Sequence, residues 1–468
     1  MSEVKNDELI PSAKRLIKSL RDMGYDFSTA VADLIDNSID AGATEIHVDV
    51  QFEGDDSWVS VADNGRGMTT AEIREALRFG SETEYDVKNL GKFGLGLKTA
   101  SLSQCQVLSV ASRSDPKESK ISAFCWDLDH IERVNRWEIL PIKMDEMHRM
   151  LRDPLLKSTG TVVMWQKLDR ILGYKHPYGE FARKRMAAMC RELEDHLAMV
   201  FHRFLMGETQ RKRISIYLNG NSVRPWDPFA RNESKTQCLR STEIPCEFEE
   251  ISGIVHIEPF ILPPKDEFSG RDAWEHASGP KKWNQQQGLY IYRGDRLIQS
   301  GGWSRLRTVD EHTKLARIAI SFNPELDDAF KINVAKMRVQ LPVQIQESIQ
   351  RVIEPVVRRA RDRYDRPSVP RPIPNPPPNP PVVTTGNTPI TSTSPTHVTN
   401  HEYPTVQAKS FVQEHTPGYP GTSQVGLVNT EKLWTLEEIQ TKLEAAAEPD
   451  ERQIISRVFT KLRRLLSG

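Results

Sequence analysis

The sequence predicts an α/β fold made of two α/β bodies in series, followed by a proline-rich linker and a C-terminal helical hairpin. Three observations carry that reading. Strand-type alternation recurs between helix-period segments as far as residue 365. A chain of 468 residues exceeds what one hydrophobic core usually serves. Finally, 14 of the 30 prolines fall between Pro367 and Pro420, among Ser, Thr, Asn and Gly. The expected boundaries are 1–175 and 176–365 for the two bodies, 366–430 for the linker and 431–468 for the hairpin.

In the first body, residues 46–50 and 58–61 alternate as half-buried strands do. A long helix-period segment at 181–205 opens the second, followed by strand runs at 214–218, 289–292 and 316–320, and a helix at 343–363 closes it. The linker has few residues able to form a core, and its prolines keep it extended. Beyond it, Thr435-x-x-Glu438 reads as a capping box and Pro449 suits the first turn of a second helix. The apolar face of that hairpin, with Ile454, Ile455, Val458, Leu462 and Leu465, is too small to be stable alone, which calls for a protein partner.

Composition narrows the setting. No run approaches the roughly 20 apolar residues that span a bilayer, and the opening residues lack the apolar core of a secretory signal, so no membrane partner and a cytoplasmic location are expected. Five cysteines without a paired C-x-x-C unit suit a reducing compartment and make a structural zinc site an unsuitable reading. A net charge of −1 gives no global attraction to nucleic acid. DNA remains a candidate partner through local clusters: Arg183-Lys184-Arg185, Arg211-Lys212-Arg213, Arg358-Arg359 with Arg361 and Arg363, and Lys461 with Arg463-Arg464. Such faces are also often merely solvated. No base-reading motif and no nuclease metal cluster is visible.

Four short segments carry chemistry. Residues 28–43 read as a helix with Val31, Leu34, Ile35 and Ile39 toward a core and Asp33 and Asn37, one turn apart, on the other face. A carboxylate and an amide so placed can hold a water and a magnesium ion side by side, because the ion accepts amide and phosphate oxygens together. A solvated helix face would look the same. Asp63-Asn64-Gly65-Arg66-Gly67-Met68 lies between a strand and the capping box Thr69-x-x-Glu72. A strand-end carboxylate can accept from an exocyclic amine such as that of adenine, and the glycines permit a sharp turn and close ligand approach. Alone, it is equally an ordinary turn. Gly91, Gly94 and Gly96 lead into helix-compatible sequence containing Lys98, where backbone amides and a helix start favour phosphate. Gly160-Thr161 opens an apolar strand, and the Thr161 hydroxyl could join Asp63 at a base through water.

Taken in order, these segments resemble the N, G1, G2 and threonine motifs of the ATPase superfamily that includes gyrase B, MutL, the MORC proteins, heat-shock chaperones and histidine kinases. The resemblance covers residues 12–172. It implies a Bergerat-type α/β sandwich, with ATP and Mg2+ between helices and a mixed sheet beneath a lid, and ATP-driven homodimerisation. Carried over by position, Asn37 is the magnesium ligand and Asp63 the adenine reader. Gly65, Gly67 and Met68 belong to the base pocket, Gly91, Gly94 and Gly96 to the phosphate lid with Lys98 beside it, and Thr161 to the base. Asp33 departs from the pattern, since the MutL, MORC and gyrase branches carry glutamate there as the general base. One methylene less displaces the carboxylate by on the order of 1 Å, so slow hydrolysis is expected.

Residues 332–339 look like the MutL stretch whose lysine reaches from a transducer domain into the ATP pocket, here Lys336, with Lys331 as the alternative. Residues 289–298 resemble the strand-turn-strand before it, implying a transducer-type domain over 211–345. The functional expectation is an ATPase whose dimerisation acts as a clamp or switch in DNA processing or bacterial restriction and phage defence. The alternative is a nucleotide-gated interaction module with negligible turnover. A histidine kinase would need a phospho-accepting hairpin before its pocket, and a chaperone longer client-handling regions.

Overall fold

The structure is a computed structural model that describes residues 11–22, 24–80, 90–91, 96–117, 120–173, 176–332, 336, 339–366 and 459. The linker and hairpin expected beyond 365 therefore lie, residues 366 and 459 apart, outside the described residues, as does Gly94.

The first body begins with α1 (Ala13–Arg21) and α2 (Phe27–Asp40). Asp26 starts α2 by accepting the Thr29 amide at 2.8 Å, a side-chain cap on an otherwise orphan donor. Then come β1 (Glu45–Gln51), β2 (Trp58–Asp63), α3 (Thr70–Leu77), α4 (Gly96–Leu102), β3 (Val107–Arg113) and β4 (Ser122–Asp127). The expected box at α3 forms: Thr69 Oγ1 accepts from the Glu72 amide and Glu72 Oε2 from the Thr69 amide. The body continues through α5 (Leu128–Val134), β5 (Leu140–Pro141), α6 (Arg149–Lys157), β6 (Gly160–Gln166), α7 (Glu180–Val200), α8 (His202–Met206), β7 (Ser215–Leu218) and β8 (Asn221–Ser222).

Its eight strands order as β5-β4-β3-β6-β2-β1-β7-β8. Val31, Leu34, Ile35 and Ile39 of α2 pack with Ile46, Val48 and Trp165 of the sheet and Leu193 and Leu197 of α7 in one core. A smaller core on α6 includes Leu151 and Leu155 with Val162 and Met164. The run at 214–218, expected to belong to the second body, instead pairs in parallel with β1, Ile46 opposite Ile216. Together with α7 this carries the first sheet and core to Val223, well beyond the boundary expected near 175. A four-residue strand alternates in the same way whichever sheet it joins.

The second body holds β9 (Gln237–Cys238), β10 (Thr242–Phe248), β11 (Ile251–Ile261), α9 (Arg271–Ala277), α10 (Lys282–Gln286), β12 (Gly288–Arg293), β13 (Arg296–Ser300), β14 (Ala316–Phe322) and α11 (Val343–Tyr364). Its sheet runs β10-β11-β14-β12-β13, with β12 and β14 parallel and β9 paired to β11. Ile345, Ile349, Ile353 and Val356, at helical spacing along α11, belong to its core. Among the described residues no helix is long and apolar enough to cross a membrane.

Candidate nucleotide site

Between α2 and the sheet lies a cavity of about 270 Å³. Asp33, Asn37, Asp63, Gly67 and Met68 line it, and so do Gly91, Gly96, Thr161 and Lys336. Four sequence segments and one residue of the second body thus meet in one space. Gly65 stands just behind the lining, where a Cβ would come within 2.9 Å of Asp63 Oδ1. At Gly67 the backbone has φ +67° and a Cβ would fall 2.0 Å from the Arg113 carbonyl oxygen, so the turn into the cavity requires glycine.

Asp63 ends β2 and is held by three donors. Its Oδ1 accepts from the Gly65 amide at 2.8 Å and the Thr161 amide at 3.3 Å, and its Oδ2 from Ser38 Oγ at 3.0 Å. Burial pushes the carboxyl above the usual carboxylate range, against the pull of these three hydrogen bonds. A carboxylate offers about four acceptor sites, so it retains capacity for a ligand donor.

Thr161 thus reaches Asp63 through its backbone, while its hydroxyl lies 2.9 Å from Ser112 Oγ. Ser112 has one proton, which goes to the Gly160 carbonyl at 2.7 Å, so the Thr161 hydroxyl is the donor of that pair. The Met68 amide also donates to Ser112, at 2.8 Å. Ser112 therefore joins β3, β6 and the glycine turn, a role that an isolated strand serine gives no sign of.

Along α2 the other candidates separate by burial. From Thr29 to Ile39 only Asn37 is exposed. Its amide makes no hydrogen bond with another described residue, so its oxygen is available to a hard cation whose other ligands are phosphate and water. Among the described residues no group of three or more His, Cys, Asp or Glu could hold a metal. Asp33, expected to share a face with Asn37, is 2% exposed. Its Oδ2 accepts from the Tyr25 hydroxyl at 3.0 Å and its Oδ1 lies 3.2 Å from Lys336 Nζ. Burial first, then the Asp33 charge, raises the Tyr25 phenol well above its ordinary value, which keeps it a donor.

Lys336 also binds Asp36 Oδ2 at 2.6 Å, and Arg296 Nε lies 2.9 and 2.8 Å from the two Asp36 oxygens. Two carboxylates and two cations make a neutral buried cluster. Burial alone would raise the Asp36 carboxyl, but Arg296 and Lys336 outweigh it and hold the group below its ordinary value. Lys331, the alternative to Lys336, is exposed and does not line the cavity.

Two expectations for the glycine segment change. The Gly91 amide, expected to face phosphate, donates to Asp40 Oδ2 at 2.9 Å, while Asp40 Oδ1 accepts from the Leu90 amide at 3.1 Å and Arg211 Nη1 at 2.7 Å. A carboxylate already sits on those amides. Lys98 does not line the cavity: buried at the base of α4, its Nζ donates to the Ala76 and Arg78 carbonyls at 3.0 and 2.7 Å. Burial pulls its pKa down to about 8.

Of the basic clusters, Arg183, Lys184, Arg185, Lys212, Arg213, Arg358, Arg359 and Arg361 are exposed, whereas Arg211 and Arg363 are drawn into the fold; Lys461, Arg463 and Arg464 lie outside the described residues. Arg213 donates to the Leu205 carbonyl, Arg361 binds Asp310, and Arg363 bridges Lys235 O and Glu267.

Residues 25–161 match the family described as Histidine kinase-, DNA gyrase B-, and HSP90-like ATPase. Similar proteins include ATPase morc-1 of Caenorhabditis elegans, 30% identical over 87 residues, which are 19% of this chain and 10% of that one. Protein MICRORCHIDIA 5 of Arabidopsis thaliana is 38% identical over 92 residues, 18% of this chain and 13% of its own length. DNA mismatch repair protein MutL of Colwellia psychrerythraea is 33% identical over 236 residues, 49% of this chain and 31% of its length. The chain thus spans about a third or less of these relatives. The four segments of the site all fall within residues 25–161, the stretch that matches the histidine kinase-, DNA gyrase B- and HSP90-like ATPase family, and MORC and MutL proteins are among the proteins it is similar to.

Proposed function

We propose that this chain binds ATP with magnesium in the α2 cavity and uses the bound nucleotide to drive homodimerisation as a switch in DNA processing. One observation carries the reading: a carboxylate held by three donors, Asp63, shares a cavity with the open amide of Asn37 and a cation from the second body, Lys336. Asp63 would accept the adenine amine, and the Ser38 contact places it beside the C-terminal half of α2. Asp33 lies about 7.5 Å back along the helix axis from Ser38 at 1.5 Å per residue, which gives the cavity a base end and a phosphate end. Magnesium, when bound, would neutralise phosphate charge, and Asn37 is the residue that would hold it.

Lys336 would pass from the α2 carboxylates to the terminal phosphate, a contact ADP does not offer, and such a difference in affinity is what shifts an open–closed equilibrium. Asp33 would serve as the base for water, with slow turnover. The relatives named ATPase and DNA mismatch repair protein support hydrolysis and a DNA setting, of which bacterial restriction and phage defence are forms.

A second reading has its own support. Both Asp33 oxygens are engaged, by Tyr25 and Lys336, which favours a nucleotide-gated interaction module with negligible turnover. Gel filtration and phosphate release, each with ATP, a non-hydrolysable analogue or no nucleotide and with or without duplex DNA, separate the two. The switch predicts an analogue-dependent dimer and slow release raised by DNA; dimerisation without release selects the module. A monomer that releases no phosphate under every condition contradicts both.

A further inference from the structure

The turn between β12 and β13 sets two arginines opposite each other. Gly294 and Asp295 have φ of 51° and 70°, both positive as a two-residue type I′ hairpin requires, and Arg293 pairs with Arg296 across the ladder. Like charges facing each other on a hairpin repel, and here both are buried, at 1% and 2% exposure. Each must be held by partners of its own.

Arg293 Nε and Nη2 take the two Asp327 oxygens at 2.7 and 2.8 Å, and its Nη1 donates to the Leu90 carbonyl at 2.9 Å. Arg296 takes Asp36 on α2. One hairpin tip of the second body therefore grips the first body at two points. Each point is next in sequence to a cavity-lining residue: Leu90 precedes Gly91, and Asp36 precedes Asn37. From the first body, Asp40 holds the Leu90 and Gly91 amides, so Leu90 is fixed through its N–H from one side and its carbonyl from the other.

We propose that the Arg293–Arg296 tip is a positioning device for the nucleotide site, with Arg293 setting the place of Gly91 through Leu90 and Arg296 that of Asn37 through Asp36. The inference rests on the nucleotide reading above. Through Arg293 it gives the second body a hold on the cavity wall that Lys336 does not share, whereas Arg296 and Lys336 meet on Asp36. A guanidinium fork locked on Asp327 is a rigid donor, and a loss of about 1 Å of registration in a binding wall is enough to cost affinity.

The test uses the full chain with Arg293→Lys, Asp40→Asn and Lys336→Ala. Arg293→Lys keeps a cation for Asp327 but cannot hold both carboxylate oxygens and the Leu90 carbonyl in one fork. Asp40→Asn loosens the same segment from the first body. Hydrogen–deuterium exchange without nucleotide should accelerate at Leu90 and Gly91 by about tenfold or more in both variants, the loss of one charge-assisted hydrogen bond, with β3 unchanged. Lys336→Ala should leave exchange at Leu90 and Gly91 as in the wild type. Titration with magnesium should show both ADP and a non-hydrolysable ATP analogue weakened about fivefold or more by Arg293→Lys. Unchanged exchange at Leu90 and Gly91, or acceleration spread equally over β3, overturns the proposal and leaves the nucleotide reading standing. A wild type that binds neither nucleotide overturns that reading and the positioning role with it.

Discussion

Asp63 and Ser38 form the pair on which base recognition turns. In Asp63→Asn the amide oxygen can keep the Gly65 and Thr161 N–H groups, and the Ser38 hydroxyl can rotate to accept from the new NH2. The fold should therefore lose less than about 1 kcal/mol in urea titration, while adenine nucleotide affinity falls about tenfold or more with the lost acceptor. A variant that binds ATP as the wild type does removes Asp63 from the base site. His202 gives a different single-residue prediction. Burial first, offset by Asp227 and reinforced by Arg203 and Arg231, pulls its pKa down to about 3, with Nε2 at 2.9 Å from the Tyr292 hydroxyl. Between about pH 6.5 and 3 the unfolded chain binds a proton that the native chain refuses, so stability falls as pH drops through that window. His202→Gln should flatten that part of the acid-unfolding profile; an unchanged slope assigns it elsewhere.

The α2 helix shows what local spacing reveals and what it hides. Its core-facing residues, the capping box at α3 and the long α11 helix were legible because each depends on residues within one or two turns, whereas the Asp26 cap was not read. The spacing sets Asp33 and Asn37 together on the face away from the core, and for Asn37 that face is open. Asp33, Asp36 and Asp40 instead meet Lys336, Arg296 and Arg211, with Lys336 and Arg296 reaching Asp36 from 300 and 260 positions away and Arg211 reaching Asp40 from 171. No periodicity in α2 encodes those partners. Asp36→Asn leaves Arg296 and Lys336 short of one buried carboxylate and should cost about 3–5 kcal/mol in urea titration. The native Asp36 pKa lies below its unfolded value, so the stabilisation is full above the unfolded value near 3.8 and lost as pH falls through the native one. An Asp36→Asn midpoint within error of the wild type would show that the cluster does not hold the bodies together.

At the scale of the molecule, Lys336 of the second body lines the α2 cavity, while Arg293 and Arg296 hold Leu90 and Asp36 beside it, all three cations being buried. The resemblance of 332–339 to a MutL stretch pointed to Lys336, whereas the two arginines were read only as part of a strand-turn-strand. Lys336→Ala should keep ADP affinity within about threefold and weaken compaction by an ATP analogue in small-angle scattering, because only ATP offers the terminal phosphate. It should also lower stability, since Asp33 and Asp36 then share Arg296 alone. Compaction equal to the wild type would remove Lys336 as the sensor. The central claim, a magnesium–ATP site on α2, is tested most directly by titration calorimetry of a non-hydrolysable ATP analogue into the wild type and Asn37→Ala, each with and without magnesium. The account predicts saturable, magnesium-dependent binding to the wild type and at least about tenfold weaker binding to Asn37→Ala, whose fold is unaffected because that side chain is exposed. No binding to the wild type, or equal affinity in the variant and without magnesium, would contradict it.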